Sequence, residues 1–301
     1  MKHTTVKKLC AGLLTLALMI CALPGLGEQV IVNKVKNPDA DFEFAPDAEL
    51  LEVFIPPVYG CDAAYVRMGD HGMLIDCGGS QWRTFDDMLA RLGVTRVDYA
   101  VNSHPDADHI GGFNKVLEHI ACGEFVLGFP EDYPDGDDVR FKVYSDLHAL
   151  DIPFHRAHDG ETLEFGGPQV TAYQRLDEEL PRVNNRSLML MIQWGERRIF
   201  FTGDIQLDTQ KLLAEQGDPA DYQADILKHP HHGYRPMYAP FLEMVSPELV
   251  YMTSGGDGAE GKTLLKEKQI SFLYAEQGPL RMATDGKTWV VEKVKLPSVK
   301  K

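Results

Sequence analysis

Residues 97–112 read VDYAVNSHPDADHIGG, and the fold turns on this stretch. Residues 97–101, apolar but for Asp98, read as a buried-type strand that ends at Ser103. His104, Asp106, Asp108 and His109 then crowd into six residues, followed by Gly111, Gly112 and a segment with helical spacing over 112–119. Four side chains of metal-ligating type in one tight loop past a strand end cannot all face solvent separately. Residues 104 and 106 can turn one way and 108 and 109 the other. That geometry can serve two ions a few ångströms apart, as used to activate a bridging water.

Outward from this loop, apolar strands and amphipathic helices alternate in both halves of the chain. Strands are predicted at 51–55, 63–68 and 73–76, the latter two closing on Gly69-Asp70-His71-Gly72, with a helix over 85–92 that stops at Gly93. After a strand at 125–129, residues 130–140 are rich in Pro, Gly and Asp and read as a surface loop. Strands follow at 169–174, 187–193, 198–202, 225–228 and 249–253, with helices at 208–216, 241–245 and 263–268. Asp285-Gly286 marks a last hairpin. No repeat or internal linker interrupts residues 49–295, which read as one mixed α/β domain with a short basic tail at 296–301.

Of the 301 residues 44% are apolar and 25% charged, an ordinary globular mixture. The net charge of −15 offers no basic stripe to displace counterions from a polynucleotide. Residues 1–27 have the plan of a secretory signal: Lys2, Lys7 and Lys8, an apolar run over 9–23, then Gly25 and Gly27. That run falls short of the roughly 20 residues of a spanning helix, with an uncleaved anchor as the alternative. Removing residues 1–27 takes the charge to −18 and leaves no stable membrane span. Residues 28–48, with Pro38 and Pro46, read as a tether. Cys61, Cys77 and Cys122 then remain; Cys61 and Cys77 lie on the arms of one predicted hairpin, where an oxidising compartment permits a disulfide.

Further acids and imidazoles stand at strand ends. Asp204 closes the buried strand 198–202 in Thr-Gly-Asp, where Gly203 lets the backbone turn closely. His231 and His232 follow strand 225–228, with Gly233 as a turn residue, and His229 reads as an exposed loop histidine. Asp76 ends a strand in LIDCGG and is expected to support the ligand loop rather than bind metal. The histidines at 71, 119, 148, 155 and 158 have no partners nearby in sequence.

Taken together, LIDCGG (74–79), HPDADHIGG (104–112), NNRSLML (184–190), FFTGD (200–204) and LKHPHHG (227–233) resemble the metallo-β-lactamase superfamily. Within it the chain is similar to the extracellular hydrolase domain of ComEC-type DNA-uptake proteins, here without that family's transmembrane helices. The resemblance implies a four-layer αββα sandwich and two divalent ions around a shared hydroxide, zinc by default and manganese as the rival. It implies ligands from His104, Asp106, Asp108 and His109, with Asp204 bridging. One of the histidine pair, His231 by the family pattern, completes the second site, and the other, His232, orients or protonates the substrate.

Two departures bear on the first site. Position 106 is Asp where the superfamily usually has His, and the usual third histidine is replaced by Asn184-Asn185, so that Asn185 becomes a candidate ligand. An oxygen-rich site relaxes the preference for zinc. VYGCDA (58–63) keeps Asp62 of another family signature, and Tyr234 stands where a Ser is expected. Two ions of this kind suit phosphate esters, lactones and thioesters. Arg182, Arg186, Arg235 and Lys228 are candidates to hold phosphate, and Tyr234, Tyr238 and Trp82 to line an aromatic wall for a choline headgroup. The expectation is a secreted hydrolase of phosphate esters with Asp108, His232 and Lys228 in the chemistry and nucleic acid as one possible substrate. The alternative is an exported binding module with a degenerate metal site.

Overall fold

The computed structural model describes residues 30–176, 179–254 and 260–296. The signal-like segment 1–27, the final five residues of the basic tail and the segment 255–259 lie outside the described residues. Among the described residues no helix is long and apolar enough to cross a membrane.

Two sheets face each other. In the first, β1 (Ile31–Asn33), β16 (Trp289–Lys293), β15 (Leu280–Thr284), β2 (Leu51–Ile55) and β3 (Ala63–Met68) lie side by side. The sheet continues through β4 (His71–Cys77), β5 (Arg96–Asn102), β6 (Ala121–Leu127) and β7 (Phe154–Arg156). The second sheet runs β14 (Ser271–Tyr274), β13 (Leu249–Met252), β12 (Ile226–Lys228), β11 (Arg197–Phe201), β10 (Met189–Trp194), β9 (Gln169–Tyr173) and β8 (Thr162–Glu164). Val53, Val66 and Ile75 of one sheet and Val170, Ile192 and Ile199 of the other are buried in the shared core. Alternate residues of the same strands, such as Leu74 and Phe200, point outward into two further clusters. A strand buried on both faces needs a cover on each.

Helices provide that cover. Phe85, Met88 and Leu89 of α1 (Trp82–Arg91), with the short α2 (Ala107–Ile110) and α3 (Phe113–Val116) and then α4 (Val139–Ala149), close the outer face of the first sheet. Leu213 of α5 (Leu207–Gln216), Tyr222 of α6 (Pro219–Tyr222), Phe241 and Val245 of α7 (Ala239–Val245) and Leu265 of α8 (Lys262–Glu267) close the second. The result is the expected αββα stack. The outer strands β4–β5–β6–β7 and β11–β12–β13–β14 pair in parallel, so each set has its carboxyl ends at one edge of the sandwich.

Several local expectations need correction. The supposed tether is partly structured: Val32 is buried and β1 pairs in parallel with β16, while Lys34 Nζ donates to Phe42 O. The loop read over 130–140 runs only to 138, where α4 begins, a helix the sequence reading did not place. Cys61 and Cys77 are buried free thiols, not a disulfide, and burial pushes the Cys61 thiol up to about 12.

Candidate metal centre

The carboxyl ends of β4, β5, β11, β12 and β13 meet at one rim, and each delivers polar side chains to it. Asp76 ends β4 with a left-handed backbone (φ 54°) that turns its carboxylate under the loop after β5. Asp76 Oδ1 accepts from Ser103 N at 2.8 Å and Asn102 Nδ2 at 3.2 Å, and Oδ2 accepts from Ser103 Oγ at 2.7 Å. His109 Nδ1 lies 2.7 Å from the same Oδ2. The expectation that Asp76 supports the ligand loop describes this geometry. A Cβ on Gly112 would fall 2.0 Å from Cys77 O, so only glycine lets the helix carrying Asp108 and His109 lie this close to β4.

Asp204 sits two residues beyond Thr202 and is 1% exposed. His109 Nε2 is 3.3 Å from its Oδ1, and His232 Nε2 is 3.1 Å from its Oδ2. His232 Nε2 also lies 3.2 Å from Asp108 Oδ2. On its far side, His232 Nδ1 faces Asp62 Oδ1 at 3.1 Å and Thr253 Oγ1 at 2.9 Å. His104 is wholly buried, with Nδ1 3.0 Å from Ser103 Oγ and Nε2 3.5 Å from Asp106 Oδ2. The His104 and His109 rings lie 4.0 Å apart between centroids, and those of His109 and His232 5.2 Å.

The Nε2 atoms of His104, His109 and His232 are therefore buried and turned toward carboxylates, yet none has an aligned hydrogen bond. A buried polar atom left without a partner is costly, and a cation supplies the missing partner. Five carboxylates, Asp62, Asp76, Asp106, Asp108 and Asp204, surround these rings with one ammonium, that of Lys228, among them. Asp62, His109, Asp204 and His232 each offer a ligand atom within 4.8 Å of the others. This cluster of Asp and His side chains is able to bind metal. Asp62 approaches both imidazoles from the Nδ1 side, 3.9 Å from His109 Nδ1, and so holds the rings from behind the Nε2 atoms.

Electrostatics follow from the packing. Burial works against ionisation of Asp204, but His232, His109 and Lys228 overcome it and hold the carboxyl well below its usual range. Burial likewise opposes charge on His109 and His232, yet Asp204, with Asp76 beside His109 and Asp62 beside His232, holds both imidazoles well above theirs. Asp108 is pulled down against its burial by the neighbouring His232 and His109 imidazoles.

The histidine pair differs from expectation. His231 and His232 both have left-handed backbones (φ 49° and 58°), a conformation costing roughly 1–2 kcal/mol at a non-glycine residue. This double turn sends the rings to different places. His232 is the buried one, set against Asp108 and Asp204, whereas His231 is part-exposed with Nε2 3.8 Å from Asp204 Oδ2. His229, read as exposed, is wholly buried; its Nδ1 donates to Pro230 O at 2.8 Å, and burial pushes its pKa down to about 4.

Asn185 is not turned to the metal-binding cluster. Its Oδ1 accepts from Gln206 N at 2.9 Å and from Thr209 Oγ1 at 3.2 Å, and its Nδ2 donates to Pro181 O at 2.7 Å. It satisfies backbone groups at the start of α5, where Gln206 supplies no side-chain cap. Lys228 is not free for substrate either: its buried ammonium donates to Gly203 O at 2.7 Å, to Asp204 Oδ1 at 3.2 Å and to Asp62. Arg186 donates to the Tyr133 hydroxyl. Arg182 and Arg235 are exposed, and Tyr234 packs edge-on to His231 and His232. Trp82 lies on α1, beneath the Arg83 guanidinium. Asp62 is the residue sequence reasoning passed over, although VYGCDA carried the signal. His71, His119, His148 and His155 pair with surface carboxylates, as an incidental role requires.

The metallo-beta-lactamase superfamily model matches residues 56–249. This chain belongs to that superfamily. Among curated proteins it is 30% identical over 195 residues to competence protein ComA of Neisseria gonorrhoeae, a match covering 63% of this chain and 25% of that protein. It is 24% identical over 170 residues to ComE operon protein 3 of Bacillus subtilis, covering 56% and 21% respectively. The chain thus spans about a quarter of these relatives' length. Solved superfamily folds include YhfI from Bacillus subtilis, with a TM-score of 0.50 at 12% identity over 75% of this chain and 96% of that one. A diiron β-hydroxylase, CmlA from Streptomyces venezuelae, superposes with a TM-score of 0.50 at 16% identity over 80% and 55%. These two establish the shared fold.

Proposed function

We propose that this superfamily member is an exported hydrolase of phosphate esters working with two divalent cations. The observation that carries the reading is the convergence of the buried Nε2 atoms of His109 and His232 on Asp204, with the equally buried Nε2 of His104 turned to Asp106. In this reading Asp108, His109 and His232 would hold one cation and His104, Asp106 and His231 the other, with the Asp204 carboxylate available to both. Such cations supply Lewis acidity and a lowered water pKa at neutral pH.

The protein's own groups prepare that chemistry. Asp76 and Asp62 accept from the Nδ1 sides of His109 and His232, fixing which nitrogen points inward. Lys228 holds Asp204 and Asp62 in place rather than meeting substrate. Arg182 and Arg235 remain available to the phosphoryl oxygens. With Asp106 and Asp204 beside His104 and His231, the first site offers carboxylate oxygens as well as imidazole nitrogens and admits manganese as well as zinc. The negative net charge favours small phosphodiesters over polynucleotides.

Asn185 facing away from the cluster favours a second reading, a binding module with a weakened first site. The test is a side-by-side assay of bis-p-nitrophenyl phosphate, p-nitrophenyl phosphorylcholine and single-stranded DNA with zinc and with manganese. Turnover of a diester, lost in Asp108→Ala, is expected. Metal-loaded protein that hydrolyses none of them, or an Asp108→Ala variant of full activity, contradicts the hydrolase reading.

A further inference from the structure

Beside the metal-binding cluster lies a cavity of about 800 Å³, larger than an isolated phosphate needs and of the size that holds a small organic ligand. His231 forms part of its wall, and the His231 ring also faces Asp204, so the cavity adjoins the proposed reaction centre. Its other walls include Pro181, Pro230 and Pro236, with Leu207, Met237 and Tyr238. Prolines keep their shape without losing side-chain rotamer entropy, so much of this apolar surface is preformed. Leu207, at the first position of α5, is 47% exposed and lines this cavity.

The charges around the cavity are mixed but lean positive, against the trend of the chain. Arg182 and Arg235 line it; Arg182 Nη1 is 3.5 Å from Gln206 Oε1, and Arg235 Nη1 is 3.4 Å from Glu260. Lys211 Nζ stands 6.0 Å from the Tyr238 ring centre. The acid in the lining, Asp208, accepts from Asn185 Nδ2. Guanidinium groups pair with phosphoryl oxygens and also stack on aromatic faces.

We propose that this cavity seats an aromatic, non-leaving arm of a phosphodiester, which makes the substrate class small aryl-bearing phosphodiesters. The inference rests on the hydrolase reading above and adds the identity of the arm. A phosphoryl group at the cluster directs its second ester substituent past His231 onto the proline and Leu207 surface. Arg182 and Arg235 flank the phosphate end. An aromatic ring uses both features of the cavity, the flat apolar walls and the guanidinium edges.

The experiment is calorimetric titration of the metal-loaded protein with phenylphosphonate and methylphosphonate, which share the anionic head and differ in the arm. Phenylphosphonate is expected to bind at least tenfold more tightly. Leu207→Asp, at an exposed first-turn position where an acid suits the helix, is expected to bring the two affinities within threefold. Because both probes carry the same head, their ratio cancels the effect of the added charge, and a melting curve confirms that the variant folds. Equal affinities in the native protein, or a phenyl preference that survives Leu207→Asp, overturn the inference while leaving the hydrolase reading intact. Binding of neither probe, together with no ester turned over, overturns the hydrolase reading and this inference with it.

Discussion

Replacing Lys228 by Met keeps the length of the side chain and removes the ammonium buried between Asp62 and Asp204. That ammonium donates to Gly203 O, Asp204 Oδ1 and Asp62, with Asp62 and Asp204 only 7% and 1% exposed. Breaking a buried ion pair from one side costs about 3–5 kcal/mol, because the partner charge is stranded. At about 2–4 °C per kcal/mol for a domain of this size, the melting temperature falls by roughly 6–20 °C. Circular dichroism melts and denaturant titrations of chelator-treated protein measure both quantities. Asp62→Asn in the Lys228→Met background removes one stranded carboxylate, so the double variant is expected to be more stable than Lys228→Met alone. Divalent metal is expected to restore part of the loss, since it binds the folded state and meets less cationic competition at Asp204. A Lys228→Met variant within about 1 kcal/mol of the parent, or strict additivity of the two substitutions, refutes the ion-pair account.

Asp76→Asn removes the carboxylate behind His109 and is expected to weaken metal binding about 10–100-fold, measured by competition with a chelating dye. Asn185→Ala is expected to destabilise the fold by about 1–2 kcal/mol through the start of α5 while leaving the number of bound ions unchanged, as denaturation and metal analysis report. His229 is neutral in the fold with a pKa near 4, below its unfolded value of about 6.5. The unfolded chain therefore binds the extra proton, and stability is lost as pH falls from about 6.5 toward 4, by about 3 kcal/mol at most. Denaturation at pH 7 and pH 4.5 is expected to show that His229→Gln flattens this part of the pH dependence.

The two-sheet αββα fold was legible in the sequence, and several side chains of the candidate site stood out for a physical reason. His104, Asp108, His109 and Asp204 announce themselves because polar groups at buried strand ends need partners, and short spacing reveals which partners they share. Assigning the histidine pair was harder: two consecutive left-handed residues decide that His232 rather than His231 is buried, and side-chain type does not encode that turn. Asn185 and Lys228 have the chemistry of a ligand and a phosphate clamp, but α5 and a buried carboxylate pair, both distant in sequence, use up their hydrogen bonds. Helix α4 escaped detection because its buried positions are Arg140, Val143, Tyr144 and Leu147, a stripe half made of polar-tipped side chains. Arg140 reads as a surface residue, yet it is buried and donates to the carbonyls of Tyr133, Gly136 and Asp137. β1 was hidden similarly, since a three-residue strand draws its stability from β16 at the other end of the chain.

The most direct test is the metal content of the purified protein after equilibration with zinc or manganese and removal of free ion, beside that of Asp204→Asn. Two ions per chain in the parent, with at most one retained in the variant, is the result expected from carboxylates and imidazoles meeting at Asp204. Fewer than one ion per chain in the parent under saturating conditions contradicts the metal centre itself.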